Sequence, residues 1–493
     1  MKNLSGKKWF LVVMVAALVF GSQAAQAAEE GLHAVTVKFK IMLGGKQLKL
    51  DKDPIVIDGS TYLPLRAIGE ALGKDLYWNA DSETITMMNT PVVKGVFEWK
   101  NPPELGKGIK EGGFSGLLHI PTDPDNVFYT VADRGPNGDP TINGKKFRTF
   151  PIEGFTPRIY KIKLDKSEIQ ILETIKLQLP AGKLNTVTKN TYLTGLPNIN
   201  GIDEVPYDET ATTKLAYDVD GLDLEGIAYN PMDDTFWLSD EYSPSLVQVK
   251  RDGTVIARHI PQGMKEKLAG SMIPLLDTLP AIYAKRVNNR GFEGVTITPD
   301  GKYLYASMQS AMLVPDKKAS ETSRSLRVLK MDLSTKEIIG EYVYIAEDAT
   351  KFVKVAQKDV VISDLHAISE NVLLVDERDK NEGKAAQIKR IYRADFTSAT
   401  NILGTETSAA LESWTVEQLK TNGIVSVVKM PLVDLTKLAY PYEKLEGLAV
   451  VGKRQIVVTN DNDFGISYDD KTKLTFTNTP TQVQVIELSE DLK

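Results

Sequence analysis

The 493-residue sequence has no cysteine and only four histidines. Without cysteine there is no disulfide, no thiol nucleophile, no sulfur-ligated zinc and no lipid-modified N-terminal cysteine. The histidines, His33, His119, His259 and His366, are scattered, so a zinc site built on several imidazoles is not expected. Long apolar runs are also scarce. Trp9 to Phe20 is the one candidate, and it is too short to span a bilayer comfortably. It follows Lys2, Lys7 and Lys8 and precedes Ala25-Gln26-Ala27, the order of a secretory signal peptide over residues 1–27. The mature chain is therefore expected to be secreted, without a transmembrane segment. An excess of basic residues is missing too: without the three leader lysines, 56 basic residues face 65 acidic ones, a net charge of about −9. That balance argues against nucleic-acid binding. No Gly-rich loop leads from a strand into a helix, and neither Gly-x-Ser-x-Gly nor His-Glu-x-x-His occurs.

Two unlike regions follow the leader. Over residues 34–90, Val35 to Leu43 alternates as a strand, Gly44-Gly45 marks a hairpin, and Ala67 to Leu72 fits a short helix ended by Gly73. Trp78 and Ile85 to Met87 would close this compact α+β unit, which is near the lower size limit for independent folding. Its stretch Gly59 to Asn79, "GSTYLPLRAIGEALGKDLYWN", resembles the copper amine oxidase N-terminal-like domain, a module of many exported bacterial proteins. Copper itself is not expected, because such a site needs clustered imidazoles or sulfur and only His33 lies nearby. Attachment, with the cell wall as a candidate partner, is the expected duty. From Val92 onward the chain reads as short β-rich segments with Gly, Pro, Asp and Asn turns; Lys265 to Asp277 and Ser413 to Asn422 are the possible helices.

This larger region repeats. "LEGIAY" at Leu224, "FEGVTI" at Phe292 and "LEGLAV" at Leu445 each place Glu-Gly at the head of an apolar strand, followed by a turn and a second strand. Weaker copies begin near Ser115 and Asp364. Five visible copies, with a long first gap that leaves room for an insertion or a degenerate blade, predict a mainly β fold over residues 91–493: a β-propeller of about six blades. The strand from Thr481 to Leu488 would complete a blade begun near Val92 to Trp99.

Residues equidistant from a hairpin turn lie opposite one another, which places Glu225 near Asp240, Glu293 near Met308-Gln309, and Glu446 near Thr459-Asn460. The polar strand ends would then meet at one mouth of the central channel. The Gly can serve close strand packing and the Glu can bond to the next blade. Taken together, however, Glu225, Asp240, Glu241, Glu293, Asp376, Glu377, Glu446, Asp461 and Asp463 would crowd one rim and repel unless a cation is present, and Ca²⁺ is the ion that several carboxylates hold best. Arg134, Arg290 and Arg378 fall at the same repeat positions and suit an anionic ligand. His366 lies near the mouth by the same alignment and is a candidate general acid.

The set "GFSGL", "ADRG", "LEGIAY", "SDEY", "RGFEGVTITPDGKYLY", "DLHAI", "DER" and "LEGLAV", spread over residues 110–465, resembles the phytase-like family named for esterase-like activity of phytase. The resemblance implies a propeller with an acidic, calcium-dependent site and phosphate esters as substrates. It carries over to Asp133, Arg134, Glu225, Asp240, Glu241, Arg290, Glu293, Asp376, Glu377, Arg378 and Glu446. The expected roles are Glu225, Glu293, Asp376, Glu377, Glu446 and Asp461 on metal, Asp240, Glu241 and His366 in proton transfer, and Arg134, Arg290 and Arg378 on the phosphate of a small anionic ester. A carboxylic ester or lactone hydrolase, and a non-catalytic calcium-stabilised binding propeller, are the alternatives.

Overall fold

The computed structural model describes residues 34–79, 83–469 and 473–492. The expected signal peptide and His33 lie outside them. The chain divides into two units, Met1–Thr90 and Pro91–Lys493.

In the first unit, Ala34–Thr36, Ile55–Ile57 and Ser60–Tyr62 form an antiparallel sheet. Met42–Leu43 and Lys46–Gln47 make a hairpin around Gly44-Gly45, both at positive φ as so tight a turn requires. The helix Leu65–Ala71 follows Pro64, and Gly73 at φ 67° takes the chain out of it into the hairpin of Lys74–Asn79 and Thr84–Asn89. Phe39, Met42, Tyr62, Leu72, Trp78 and Ile85 are exposed.

In the second unit the described strands form five propeller blades, one fewer than the expected count of about six. Blade 1 runs Phe114–Leu118, Val127–Ala132, Arg158–Asp165 and Glu168–Lys176. Blade 2 runs from Leu224–Asn230 through Thr235–Asp240 and Ser245–Lys250 to Val255–Pro261, with Leu275–Leu279 added outside in parallel. Blade 3 spans Phe292–Ile297 to Glu337–Ile345, and blade 4 spans Val361–Ala367 to Val428–Asp434. Blade 5 closes the ring: Gly447–Val451, Gln455–Thr459 and Gln482–Glu487 come from the end of the chain, and Val92–Glu98 supplies the outer strand. The expected sixth blade fails because residues 177–223, between blades 1 and 2, hold no blade sheet; their one strand, Pro206–Tyr207, pairs with Arg148–Thr149.

The five inner strands surround the axis in chain order, and small residues permit their approach. A Cβ on Gly116 would lie 2.8 Å from the Gly226 Cα, one on Gly226 2.6 Å from the Glu293 carbonyl, one on Gly294 2.7 Å from the Leu365 nitrogen, and one on Gly447 2.9 Å from the Leu117 nitrogen. Contacts below 3.0 Å to backbone cannot be relieved by a side-chain shift, so blade packing itself dictates glycine here. The apolar core is distributed between blades. Trp99, Phe114, Phe128 and Val457 pack between blades 5 and 1, and Tyr129, Ile227, Phe236 and Val247 between blades 1 and 2. Phe292, Leu304 and Leu329 pack against Trp237 of blade 2, and Leu374 and Ile391 against Leu448 and Ile456 of blade 5.

Of the two possible helices, Val416–Thr421 forms, with a capping box of Thr415 and Gln418. Lys265 to Asp277 instead makes turns as far as Gly270, at φ 92°, and after Pro274 enters the strand Leu275–Leu279. Arg327 of blade 3 is fully buried and pairs with Glu341 and Glu412, each at 2.7 Å. Truncating it would strand two carboxylates in the interior. Arg327→Ala is therefore expected to lower unfolding free energy by about 3–5 kcal/mol, readable by denaturant titration.

Candidate functional site

The repeated Glu-Gly is a β-bulge. Leu224 pairs with Asp240 and Ile227 with Leu238, so Glu225 and Gly226 together face Ser239. The same shift sets Glu293-Gly294 against Ser307, Ser115-Gly116 against Val131, and inserts Ser363 before Asp364 opposite Asp376. In blade 5 the Glu446 N–H donates to the Thr459 carbonyl at 3.1 Å while Gly447 pairs with the same residue. The bulge explains why Glu225 stands one residue away from its expected partner Asp240. It also re-aims the first bulge residue, so that Glu225, Glu293 and Glu446 all line one polar cavity of ≈ 220 Å³. A second ring comes from the far end of each second strand: Asp133, Glu241 and Gln309, each just past the last paired residue, and Arg378, paired with Val361, line the cavity, while Asp461, two residues past Thr459, bonds to the lining residue Lys444. In blade 4 Asp364 takes the place of the bulge glycine, and its carboxylate accepts the N–H groups of Leu365 and Leu448, both at 2.8 Å, stitching blade 4 to blade 5.

The cavity carries charges of both signs, with carboxylates in excess on one side. On the side of blades 1 and 2, Asp223, Glu225 and Glu241 each bring a carboxylate oxygen within 4.8 Å of the others. Burial first, then Glu293, pushes the Glu225 carboxyl well above its ordinary value; burial and Asp223 push Glu241 up to about 8. Burial and Asp461 likewise raise Asp133. Glu293 accepts from the Gln309 amide at 2.7 Å through Oε1, while its buried Oε2 has no hydrogen-bond partner; burial and Glu446 raise its carboxyl well above the usual range. On the side of blades 4 and 5 Arg378, Lys380 and Lys444 alternate with Glu443, Glu446 and Asp463, and Arg290 joins them from the segment before blade 3.

All three expected arginines line this cavity, and each is already engaged. Arg134 lies 3.1 Å from Asp223 and 3.4 Å from Glu204. Arg378 donates to Ser363 at 2.9 Å and to Glu446 at 2.7 Å. Arg290 donates to the Lys358 carbonyl and pairs with Asp359 at 3.2 Å.

Other expected residues are placed elsewhere. Asp240 is fully buried beneath the cavity; its Oδ2 takes Ser245 at 2.5 Å and Arg258 at 2.6 Å, and its Oδ1 takes the Asp223 N–H at 2.9 Å. With both oxygens committed, it anchors the strand ends that carry Asp223 and Glu241. Glu377 points away from Asp376, as consecutive strand residues must; it accepts from Tyr344 at 2.7 Å, Lys429 at 2.6 Å and the Glu347 N–H at 2.6 Å. Asp376 is buried behind the cavity with neither oxygen hydrogen-bonded, and burial with the nearby Glu446 raises its carboxyl well above the usual value. Asp461 bonds to Lys444 and to the Asp463 N–H at 2.7 Å; burial outweighs Lys444 and lifts it to about 6. His366, half-buried opposite Leu374, is not among the residues that line the cavity.

Two functional positions escaped the sequence reading although a signal existed. Asp223 stands two residues before Glu225 and Lys444 two before Glu446, the spacing that returns to one face of an extended chain. The same repeat position thus carries an acid in blade 2 and a base in blade 5. Arg148 and Glu204, paired at 3.3 Å beside Arg134, come from loops outside the repeat and left no such signal.

The donor set fits a hard cation. It offers carboxylate oxygens, one of the neighbouring carboxylates keeps a buried oxygen without a partner, and the cavity is lined by neither imidazole nor sulfur.

Residues 41–94 match the family described as copper amine oxidase N-terminal domain. A curated relative, an uncharacterized secreted protein of Arthroderma benhamiae, is 28% identical over 311 residues, which are 56% of this chain and 59% of the relative. The chain thus spans about three fifths of the length of that relative. Among solved structures, the PQQ-bound aldose sugar dehydrogenase of Streptomyces coelicolor matches at a TM-score of 0.32 and 11% identity, covering 81% of this chain and 100% of the other. The Neurospora crassa Pan2 WD40 domain matches at 0.31 and 10%, covering 82% and 97%. Residues 109–464, most of the chain, match the phytase-like family described as esterase-like activity of phytase, and the chain belongs to that family.

Proposed function

We propose that this protein is an exported, calcium-dependent hydrolase of small phosphate esters that works in this cavity. The observation that supports it most is the convergence of Asp223, Glu225 and Glu241 beside a cavity that is also lined by Arg290, Arg378, Lys380 and Lys444. Asp223, Glu225 and Glu241 would hold the ion, which supplies charge neutralisation at the phosphoryl oxygens and a more acidic bound water. Arg290, Arg378, Lys380 and Lys444 would bind and orient the anionic ester. Glu293, whose Oε2 has no hydrogen-bond partner, is placed to take the proton of the attacking water. As the water oxygen bonds to phosphorus, the ester P–O bond breaks and the departing alkoxide takes a proton from solvent.

A carboxylic ester or lactone would ask for an apolar rim, and Val361 is the one aliphatic side chain of this lining. Export rests on the leader-like N-terminus and on the secreted relative. Among the described residues no helix is long and apolar enough to cross a membrane. The exposed apolar side chains of the N-terminal unit suit attachment, with the cell wall as the proposed partner.

Phosphate release from mono- and diesters, measured with Ca²⁺ and with a chelator, tests the assignment. Chelation, Glu225→Gln and Arg290→Ala are each expected to cut turnover by about 10²-fold or more. Undiminished turnover under chelation would eliminate the calcium role. The prior engagement of all three arginines favours a second reading, a calcium-stabilised binding propeller, which a protein inert on every ester yet stabilised by Ca²⁺ would support.

A further inference from the structure

A second cavity, of ≈ 500 Å³, is lined by Trp99, Phe464 and Phe476 together with Glu98, Lys110 and Asn478. That volume is within the range of small-molecule sites. One short segment separates it from the acidic cavity: Asp463 lines the latter, and its neighbours Asn462 and Phe464 line the former. Asp463, Phe464 and Gly465 are all left-handed, at φ 48°, 55° and 64°. For a bulky residue such as Phe this conformation costs about 1–2 kcal/mol, so the turn persists because its surroundings hold it. Asn462 accepts from the Gly113 N–H and donates to the Thr479 carbonyl, both at 2.9 Å, and the Phe464 ring stands edge-on to Phe155 at 5.3 Å. Strain of this kind concentrates where side chains must be aimed. Opposite, Gly108 at φ 77° gives room to the Phe476 ring, since a Cβ there would come within 3.3 Å of it.

The lining constrains the ligand. Of its charged side chains, Glu111 is consumed by Arg158 and Tyr160, each at 2.8 Å, and Lys100 pairs with Glu168 at 2.9 Å, which leaves Glu98 and Lys110 to cancel. Neither an anion nor a cation is favoured. A wholly apolar ligand would strip water from Lys110 and Asn478 without replacing it, at a cost. A neutral sugar offers both halves of the complement: a face of C–H groups for an aromatic ring, and hydroxyls for Asn, Lys and Glu. Phe476, 49% exposed, is the ring available for stacking. We infer that this cavity is a binding site for neutral carbohydrate, distinct from the ester site and separated from it by residues 462–465.

Calorimetric titration of the mature protein with maltotetraose, cellotetraose and chitotetraose tests this. At least one is expected to bind saturably at millimolar concentration or below, and Phe476→Ala is expected to weaken it by about tenfold or more without lowering the melting temperature. Glu225→Gln is expected to leave the sugar affinity unchanged, so the outcome is independent of the calcium and ester assignments. Lack of binding by all three sugars, or affinity that survives Phe476→Ala, overturns the inference.

Discussion

Calcium added to chelator-treated protein should raise the melting temperature, and should raise it more at pH 8 than at pH 5. Asp223, Glu225 and Glu241 place three carboxylate oxygens within 4.8 Å of one another, and burial raises all three proton affinities, helped by neighbouring carboxylates and, at Asp223, opposed by Arg134. Glu241 stands at about 8 in the folded chain against an ordinary 4.5. Between those values the folded, ion-free protein binds more protons than the unfolded chain, so its stability declines as pH rises through that window. A cation competes with those protons. At pH 5 it must displace them, whereas at pH 8 Glu241 has already given up about half of its proton, so fewer are displaced and the ion relieves the repulsion. With free Ca²⁺ at a hundred times its dissociation constant the stabilisation would be about 2.7 kcal/mol. Glu225→Gln should abolish most of the pH-dependent part, because it removes one ligand and the charge that opposes its neighbours. Scanning calorimetry at both pH values, with and without the ion, reads the effect. Equal shifts at the two pH values, or none, would mean that the acids are held by Arg134 and protonation rather than by a cation.

The sequence revealed the propeller because each blade had to solve the same problem. Strands crowding an axis need a small residue, and Gly116, Gly226, Gly294 and Gly447 recur for that reason. The ring closure was legible from the unpaired strand at each end of the repeat region, which the pairing of Val92–Glu98 with Gln482–Glu487 satisfies. Blade number was not legible, since a long gap in a repeat does not tell an insertion from a degenerate blade. The site was readable to within one residue. The hairpin construction omitted the bulge and so set Glu225 opposite Asp240 instead of Ser239; of the expected Asp240 and Glu241, only Glu241 lines the cavity. Glu377 and Asp376 were both read as metal ligands, yet strand alternation sends them to opposite faces of the blade, one to Lys429 and the other toward Glu446. Asp223 and Lys444 needed only the same alternation applied two residues earlier.

The glycine half of the repeat predicts the larger mechanical effect. Gly226→Ala should destabilise the propeller by about 3 kcal/mol or more, whereas Gly154→Ala should change stability little. A Cβ at position 226 would lie 2.6 Å from the Glu293 carbonyl oxygen, 2.7 Å from the Ser239 hydroxyl and 3.0 Å from the Val295 nitrogen. Two of these are backbone atoms of the next blade, and Ser239 Oγ already donates to that same carbonyl, so relief requires moving blade 3 away from blade 2. At Gly154 nothing lies within 4 Å of the added carbon, and the φ there is not left-handed. The displacement would also reach the site, because Glu225 and Glu293 are carried by the two strands being separated. The variant should therefore lose calcium-induced stabilisation along with intrinsic stability, although no ligand side chain is changed. Denaturant unfolding of both alanine variants, repeated with Ca²⁺, separates the cases. If Gly226→Ala proves as stable and as calcium-responsive as Gly154→Ala, the inner strands are not in the close contact from which the cavity is built.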